Sequence, residues 1–235
     1  MNEFFSSTNN KKIKIALMEP FLLFSVLFLP GFISQGVQEI APDMFESLFF
    51  NIFYIITAVP QLLLILYIIS IKPERSLADF DIGKISKIDV PRSLLALIGI
   101  YLCIIPIGLI TMLLEPEIDN QLVYGSGWSF SDYRLLPIVF ISCMATGYLE
   151  EIFFRAYLFK SLQKTGAGLI PSAIAVNVLF GSGHIYEGYY AFAATAAIGF
   201  FLTWLFVKTK SIHTISIGHG LYNFSVLLIA MTGAL

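Results

Sequence analysis

Two adjacent glutamates, Glu150 and Glu151, lie in an apolar stretch of the sequence and are followed by Arg155. An ionised side chain at the centre of a bilayer costs at least about 2.5 to 3.5 kcal/mol, so charges in such a stretch indicate a functional site. On a helix, Glu151 and Arg155 are one turn apart and can neutralise each other. Glu150 is then the less compensated carboxylate, and it can polarise a water molecule. The alternative is an ion pair near the cytoplasmic interface, from which Arg155 extends towards water.

A second polar group is His184, which ends the segment Phe180-Gly181-Ser182-Gly183-His184. Asn177 precedes it by seven residues and falls on a similar helix face. A neutral imidazole can act as a base or bind a metal. The structural alternative is a histidine that is hydrogen-bonded to a carbonyl group near the outer end of its helix.

His219 and Asn223 form the third group, and their spacing places both on one face of a helix. Both side chains can donate hydrogen bonds. Such a pair suits an oxyanion hole in a site with little water, where one preorganised donor is worth about 3 kcal/mol. The alternative is a polar clamp between membrane helices. His213, the remaining histidine, lies next to the basic Lys208–Lys210 loop and is predicted to be solvated, without a function.

The elements that carry these residues are predicted to be membrane helices. Of the 235 residues, 57% are hydrophobic and 13% are charged, whereas soluble domains contain roughly 25% charged residues. A spanning helix needs about 20 mostly apolar residues. We therefore predict an all-α, polytopic transmembrane bundle of about seven spans. The predicted spans are residues 13–34, 44–71, 93–114, 135–162, 171–185, 189–207 and 214–233.

The charged residues predict the orientation of this bundle. Basic residues cluster before the first span, in the 72–92 loop, and after the fourth and sixth spans, and such clusters stay in the cytoplasm. The alternate loops are acidic, with Arg134 as their one basic residue. The N-terminus is therefore predicted to be cytoplasmic and the C-terminus to lie outside. The 72–92 loop has the length for a short amphipathic helix on the membrane surface.

The three polar groups are predicted to lie at similar depths in the membrane. Glu150 lies about 15 to 20 Å from the cytoplasmic end of its span, at about 1.5 Å per residue, and His184 lies about 20 Å from its own. His219 and Asn223 lie about 8 to 14 Å deep. Within the error of the boundaries, polar groups from three helices meet in one layer near the middle of the membrane.

Taken in order, Glu150-Glu151-x-x-x-Arg155, Phe180-x-x-x-His184 and His219-x-x-x-Asn223 resemble the signature of the CPBP family of intramembrane proteases. This family is also called Abi and is related to the type II CAAX prenyl endopeptidases. The resemblance covers residues 135–228, which would form the protease core. Residues 1–134 would be an N-terminal membrane region of about three spans, and residues 229–235 a C-terminal end.

The resemblance implies an intramembrane endopeptidase that cleaves a membrane-associated or lipidated peptide or protein. Glu150 would be the general base that activates water, with assistance from His184, while His219 and Asn223 would stabilise the oxyanion. CAAX-type processing, maturation of a pheromone or bacteriocin leader, and bacteriocin immunity all fit the resemblance.

The use of a metal is a separate question. Glu151 and Arg155 would hold the site together in either case. The His-Glu-x-x-His zinc motif is absent from the sequence. Glu150, His184 and His219 would still be a set of zinc ligands in the manner of open catalytic sites. A metal-free mechanism, in which glutamate activates water, uses the same side chains and is our preferred hypothesis.

Two other classes of function fit the same polar residues. A catalytically idle membrane scaffold or bacteriocin-immunity protein would bind a partner through its helices and use the polar residues as structural links. A transporter or proton relay would also place Glu and His in the membrane, but the sequence has neither an inverted repeat nor paired discontinuous helices. A scaffold has no use for a spare carboxylate beside a paired one, so we favour the protease.

The remaining features describe the environment. There is no basic nucleic-acid footprint, so the predicted partners are membrane lipid and the substrate. Cys103 and Cys143 lie in apolar stretches and are predicted to pack rather than to form a disulfide. The compact chain is more similar to the bacterial branch of the family than to the eukaryotic one. This predicts an integral protein of the bacterial plasma membrane.

Overall fold

The computed structural model describes residues 17–35, 44–114 and 131–230. The predicted cytoplasmic N-terminus, its lysines and the C-terminal end at 231–235 lie outside these residues. The described residues form helices without any β-strand, which confirms the predicted all-α class. The helices in chain order are α1 (Leu17–Leu27), α2 (Leu29–Gln35), α3 (Leu48–Ser70), α4 (Asp89–Leu114), α5 (Leu136–Glu151), the π-helical segment π1 (Ile152–Phe159), α6 (Lys160–Lys164), α7 (Leu169–Ser182), α8 (Tyr189–Thr209) and α9 (Ile212–Ala230).

Five helices in the described ranges are long and apolar enough to cross a membrane, judged by length and composition. They are α3, α4, the continuous helix from Tyr133 to Lys164, α8 and α9. α1 and α7 are apolar but shorter. Together these helices occupy the seven predicted apolar stretches. In two of these stretches the helix, α1 or α7, is shorter than a full crossing. The chain is thus an integral membrane protein built as a helix bundle.

The first predicted span, 13–34, is not one continuous helix. α1 and α2 are separated at Phe28, two residues before Pro30. Proline lacks an amide hydrogen and its ring crowds the carbonyl group one turn earlier, so it interrupts a helix. The Phe28 ring centroid lies 4.5 Å from that of Phe153 and 5.1 Å from that of Phe154. The two short N-terminal helices therefore pack against π1.

A close approach of α5 and α9 lies at the centre of the bundle. A Cβ atom added to Gly147 would lie 2.7 Å from the Ser216 carbonyl oxygen and 2.8 Å from the Gly220 amide nitrogen. Small residues of this kind allow two membrane helices to approach until their backbones touch. Glu150 lies one turn after Gly147, and His219 directly precedes Gly220. The contact between the glycines therefore brings the two side chains together.

The 72–92 loop packs onto the bundle and does not contain the predicted amphipathic helix. Before α4 begins at Asp89, its helical structure is a single 3₁₀ turn, Leu77–Phe80. The Phe80 side chain is fully buried and its ring centroid is 5.9 Å from that of Tyr157 in π1. Two basic residues of the loop bind Glu19 of α1, which also accepts a hydrogen bond of 2.6 Å from the Tyr157 hydroxyl. The basic partners of Glu19 are Lys72 and Arg75.

His213, which was predicted to be solvated, is partly exposed and also has two hydrogen-bond contacts. Its Nδ1 lies 3.0 Å from the Tyr148 hydroxyl, and its Nε2 lies 3.0 Å from the Gly83 carbonyl oxygen. Nearby, Ser211 donates a hydrogen bond of 2.6 Å to the buried carboxylate of Asp89. These partners are far from His213 in the sequence, so local spacing did not indicate them. They attach the start of α9 to α5 and to the 72–92 loop.

Candidate active site

Glu151 and Arg155 form a buried ion pair, as their spacing predicts. Arg155 Nη1 donates to Glu151 Oε1 at 3.0 Å, and neither side chain is exposed. The pair lies where α5 continues into π1, and all eight residues of π1 are buried. π-helical turns are rare and are often found at functional sites. Loss of either partner would leave an uncompensated charge in apolar surroundings.

Glu151 has a second partner that the sequence did not indicate. His219 Nδ1 lies 2.8 Å from the same carboxylate oxygen that binds Arg155. A carboxylate that binds a guanidinium is an acceptor, so His219 donates from Nδ1. A carboxylate in this position selects the tautomer and the orientation of a functional imidazole. Glu151 therefore neutralises Arg155 and also orients His219.

The Glu150 side chain makes no hydrogen bond within the described part of the chain. Its Oε2 lies 3.8 Å from His219 Nε2, which is too far for a direct hydrogen bond. One water molecule can contact both atoms across this gap. The Glu150 side chain is 23% exposed, whereas that of Glu151 is completely buried. The two neighbouring glutamates therefore have different surroundings, and Glu150 is the one with room for a water molecule.

His184 follows α7 and lies close to the same group of residues. The Phe180 ring centroid is 6.3 Å from that of His184 and 6.1 Å from that of His219. The Glu150 carboxylate is within electrostatic range of both histidines. α7 has 14 residues, or about 21 Å, and a helix of that length that starts at one surface ends inside a hydrocarbon layer of about 30 Å. The structure thus brings His184 near Glu150, although no hydrogen bond joins them.

Asn177 lies beside Arg155, not beside His184. Its buried side chain exchanges hydrogen bonds of 3.1 and 3.2 Å with the Thr203 hydroxyl of α8. A Cβ atom added to Gly199 would lie 2.7 Å from Asn177 Oδ1 and 3.0 Å from Arg155 Nη2. The absence of a side chain at Gly199 therefore makes room for these two polar groups.

Asn223 lies one turn after His219 and is partly buried. Its side chain makes no hydrogen bond to any described residue. The polar-clamp alternative therefore applies to His219, which links α9 to α5 through Glu151, and not to Asn223. The turn that carries Asn223 is attached to α4, since the Tyr101 hydroxyl lies 2.7 Å from Ser225 Oγ. Asn223 thus has an amide group that is free to donate to a bound molecule.

The donor set does not fit a preformed metal site. Within the described ranges, no group of three or more His, Cys, Asp or Glu side chains is placed to hold one metal ion. The predicted zinc ligands Glu150, His184 and His219 are therefore not a metal-binding group in the described structure. No catalytic step is therefore assigned to zinc. Cys103 and Cys143 are both free thiols.

Two features of the site were not predicted from the sequence. One is Glu187, which contacts His184. The sequence signal for this contact was a carboxylate three residues after a histidine and directly before Gly188. The other is the pair of glycines, Gly147 and Gly220, which lets α5 and α9 touch. The signal there was a small residue within one turn of a predicted site residue on each helix.

A group of carboxylates and imidazoles inside apolar helices defines the chain as a polytopic membrane protein with a buried polar site. Residues 132–225 match the family model of the Rce1-like type II CAAX prenyl endopeptidases. This match confirms the resemblance predicted from the three motifs, and it contains all of the predicted site residues. It indicates an intramembrane protease of the CAAX type, with a peptide or protein substrate.

The matched residues are less than half of the chain. They begin just before α5 and end within α9, so they include every helix that carries a candidate site residue. Comparisons with curated proteins and with solved structures gave no significant match.

Proposed function

We propose that this chain is an endopeptidase that hydrolyses a peptide bond of a membrane-associated or lipidated peptide or protein. We assign residues 135–228 to its protease core and residues 1–134 to an N-terminal membrane region of about three spans. The observation that carries this proposal is the difference between two neighbouring glutamates. Glu151 is buried and bonded to Arg155 and His219, whereas Glu150 is partly exposed and has no hydrogen bond in the described chain.

In the proposed reaction, Glu150 is the general base, and His184 assists it. Water gives a proton to the Glu150 carboxylate while its oxygen bonds to the carbonyl carbon of the substrate. The negative charge that develops on the carbonyl oxygen receives a hydrogen bond from the Asn223 amide. His219 donates from Nε2 when both of its ring nitrogens carry a proton, because its Nδ1 proton is directed to Glu151. The C–N bond then breaks, and Glu150 returns the proton to the leaving amine.

The substrate proposal is a peptide that the membrane holds beside the helices. The name of the matched family favours a prenylated C-terminal peptide. Maturation of a bacteriocin or pheromone leader, and bacteriocin immunity, are further substrate proposals for the same chemistry. We place the protein in the bacterial plasma membrane, surrounded by lipid and without a nucleic-acid partner.

The test compares the wild type with Glu150→Gln, which keeps the size of the side chain and removes its basicity. Both proteins are incubated in detergent with a farnesylated CAAX peptide and with an unlipidated leader peptide. We expect the wild type to cut at least one peptide and Glu150→Gln to be roughly 10² to 10⁴ times slower. Glu74→Gln is the matched control, because Glu74 is exposed and lies outside the matched residues.

Each other outcome contradicts one part of the proposal. Equal cleavage by the wild type and Glu150→Gln would mean that Glu150 is not the base. Loss of wild-type activity with a chelator, restored by zinc, would overturn the metal-free mechanism. Tight binding of a peptide without cleavage would favour the scaffold alternative.

A further inference from the structure

A carboxylate outside the three signature motifs contacts one of the candidate catalytic histidines. Glu187 Oε1 lies 3.4 Å from His184 Nδ1. The Tyr186 hydroxyl donates a hydrogen bond to the same carboxylate oxygen. Glu187 is thus the partner of His184 in the described structure, and Tyr186 restrains the carboxylate.

A tight turn places Glu187 beside His184. The Glu187 amide donates to the His184 carbonyl at 3.1 Å, and the Gly188 amide donates to the Ile185 carbonyl at 3.1 Å. In a 3₁₀ turn the side chains of residues i and i+3 are aligned, so the carboxylate returns to the imidazole. Gly188 ends the turn with φ of 109°, a conformation that residues with a Cβ atom rarely adopt. The backbone therefore determines the contact.

The other histidine of the site has the same arrangement. His219 Nδ1 lies 2.8 Å from Glu151 Oε1, and its Nε2 is the nitrogen that lies 3.8 Å from Glu150. An imidazole that donates from Nδ1 carries its lone pair on Nε2 when the ring is neutral. His184, which follows α7, and His219, which lies in α9, thus each direct Nδ1 to a carboxylate. In both rings Nε2 is the nitrogen that remains for chemistry.

We propose that Glu187 is a positioning residue that holds His184 as the Nδ1–H tautomer, so that Nε2 can accept a hydrogen bond from the water whose other proton goes to Glu150. Glu187 does not touch the reacting atoms and acts through His184. Its effect on the reaction rests on the proposed function, whereas its effect on the tautomer does not. Removal of a carboxylate that orients a functional histidine typically costs about 10- to 100-fold.

The tautomer can be measured without any substrate. The chain has three histidines, so nitrogen NMR of protein labelled only at histidine, in lipid nanodiscs, gives three imidazoles, and His184→Gln identifies the signal of His184. At alkaline pH, where imidazoles are neutral, we expect His184 to carry its proton on Nδ1. Glu187→Ala should move the proton towards Nε2, and Glu187→Gln, whose amide oxygen still accepts, should retain it on Nδ1. An unchanged His184 signal in Glu187→Ala would overturn the proposal.

The rate provides the second readout. Glu187→Ala should lower kcat about 10- to 100-fold and change KM by less than about twofold, because the substrate is still bound. Glu187→Gln should recover part of that loss. Glu74→Ala, which removes an exposed carboxylate, should change neither the rate nor the His184 signal.

The two readouts separate the possible failures. A fall in kcat without a change of tautomer would show that Glu187 acts in another way and would contradict the proposal. If the tautomer responds as expected but the wild type cuts no peptide, the positioning role is supported and the proposed function fails.

Discussion

Arg155 is one of the largest side chains that are fully buried in the described chain. Its guanidinium carbon lies 4.2 Å from the centroid of the Phe180 ring. Its Nε and Nη2 atoms have no hydrogen-bond partner among the described residues, and unpaired buried donors cost free energy. The charge of Arg155 is therefore tolerated mainly because Glu151 lies 3.0 Å away.

Replacement of Arg155 by leucine should destabilise the protein strongly. Arg155→Leu leaves the buried Glu151 carboxylate without its cation, and breaking a buried pair typically costs about 3 to 5 kcal/mol. Denaturant unfolding in detergent measures this change. Arg134→Leu is the control, because Arg134 is 77% exposed in its ion pair with Asp132 and solvent weakens such surface pairs, so their loss changes stability little. Equal effects of the two substitutions would contradict the importance of the buried pair.

Asn223 should matter for the rate and little for stability. Asn223→Ala removes a proposed oxyanion donor, and loss of one such donor typically lowers kcat by roughly 10² to 10³. Because Asn223 makes no hydrogen bond in the described chain, the melting temperature should hardly change. Kinetic and thermal measurements on the same samples test both statements.

Asn177→Ala is the contrasting variant. Asn177 is buried and bonded to Thr203, so this substitution leaves a buried hydroxyl with fewer partners and should cost about 1 to 3 kcal/mol. A loss of stability in Asn223→Ala as large as that in Asn177→Ala would contradict the oxyanion role.

At the level of the helices, the contact between α5 and α9 decides whether the site exists. Gly147 and Gly220 bring the two backbones together, one turn or less from Glu150 and His219. Directly after Glu151 the helix changes to the wider π1, whose residues are all buried. The site thus lies where α5 closely approaches α9 and where α5 continues into the π-helical segment π1.

A methyl group at position 147 should separate α5 from α9. Gly147→Ala would place Cβ 2.7 Å from a backbone oxygen of α9, so the helices must move apart and the contact between Glu151 and His219 must lengthen. We expect a loss of stability of about 1 to 3 kcal/mol together with a lower kcat. Thermal unfolding and the cleavage assay measure the two effects.

Gly31→Ala is the matched control for Gly147→Ala. A Cβ atom at Gly31 would meet nothing within 4 Å, and alanine is favoured over glycine in a helix by about 0.5 to 1 kcal/mol. This variant should be as stable as the wild type or slightly more stable. A Gly147→Ala protein that behaves in the same way would show that the close contact is not required.

At the scale of the whole molecule, one end of the bundle carries a group of exposed basic residues. The loop before α4 and the loop before α9 meet there, since Ser211 binds Asp89 and His213 binds Gly83. The exposed basic side chains of these loops form no ion pair with any described residue. They are Lys84, Lys87, Arg92, Lys208 and Lys210. We therefore expect this end of the bundle to be the cytoplasmic one, as the sequence predicts.

The orientation can be tested by labelling single cysteines in intact cells. In a background with Cys103→Ala and Cys143→Ala, Lys210→Cys should react with a membrane-impermeant maleimide only after the cells are permeabilised. Tyr133→Cys should react from outside, because Tyr133 is 72% exposed and lies at the opposite end of the continuous helix that reaches Lys164. The reverse pattern would show that the predicted orientation is wrong.

Local features determined much of this protein from the sequence alone. The length of the apolar stretches predicts the helices, because the hydrophobic thickness of a bilayer requires such lengths. The Glu151–Arg155 pair was predictable because residues four apart on a helix are neighbours. The interruption of the first helix at Phe28 was not predicted, although Pro30, which interrupts helices, was present in the sequence.

Only the tertiary structure decided which polar groups meet. His219 binds Glu151 across 68 positions of the chain, and His213 binds Gly83 across 130. Such pairs depend on how closely two helices approach and how each is rotated about its axis, and these depend on packing along their whole length. The sequence determined which side chains can react and that they lie in a membrane. The packing of α5 against α9 decided that Glu151 binds His219 as well as Arg155, whereas the Glu150 side chain has no hydrogen bond to any described residue.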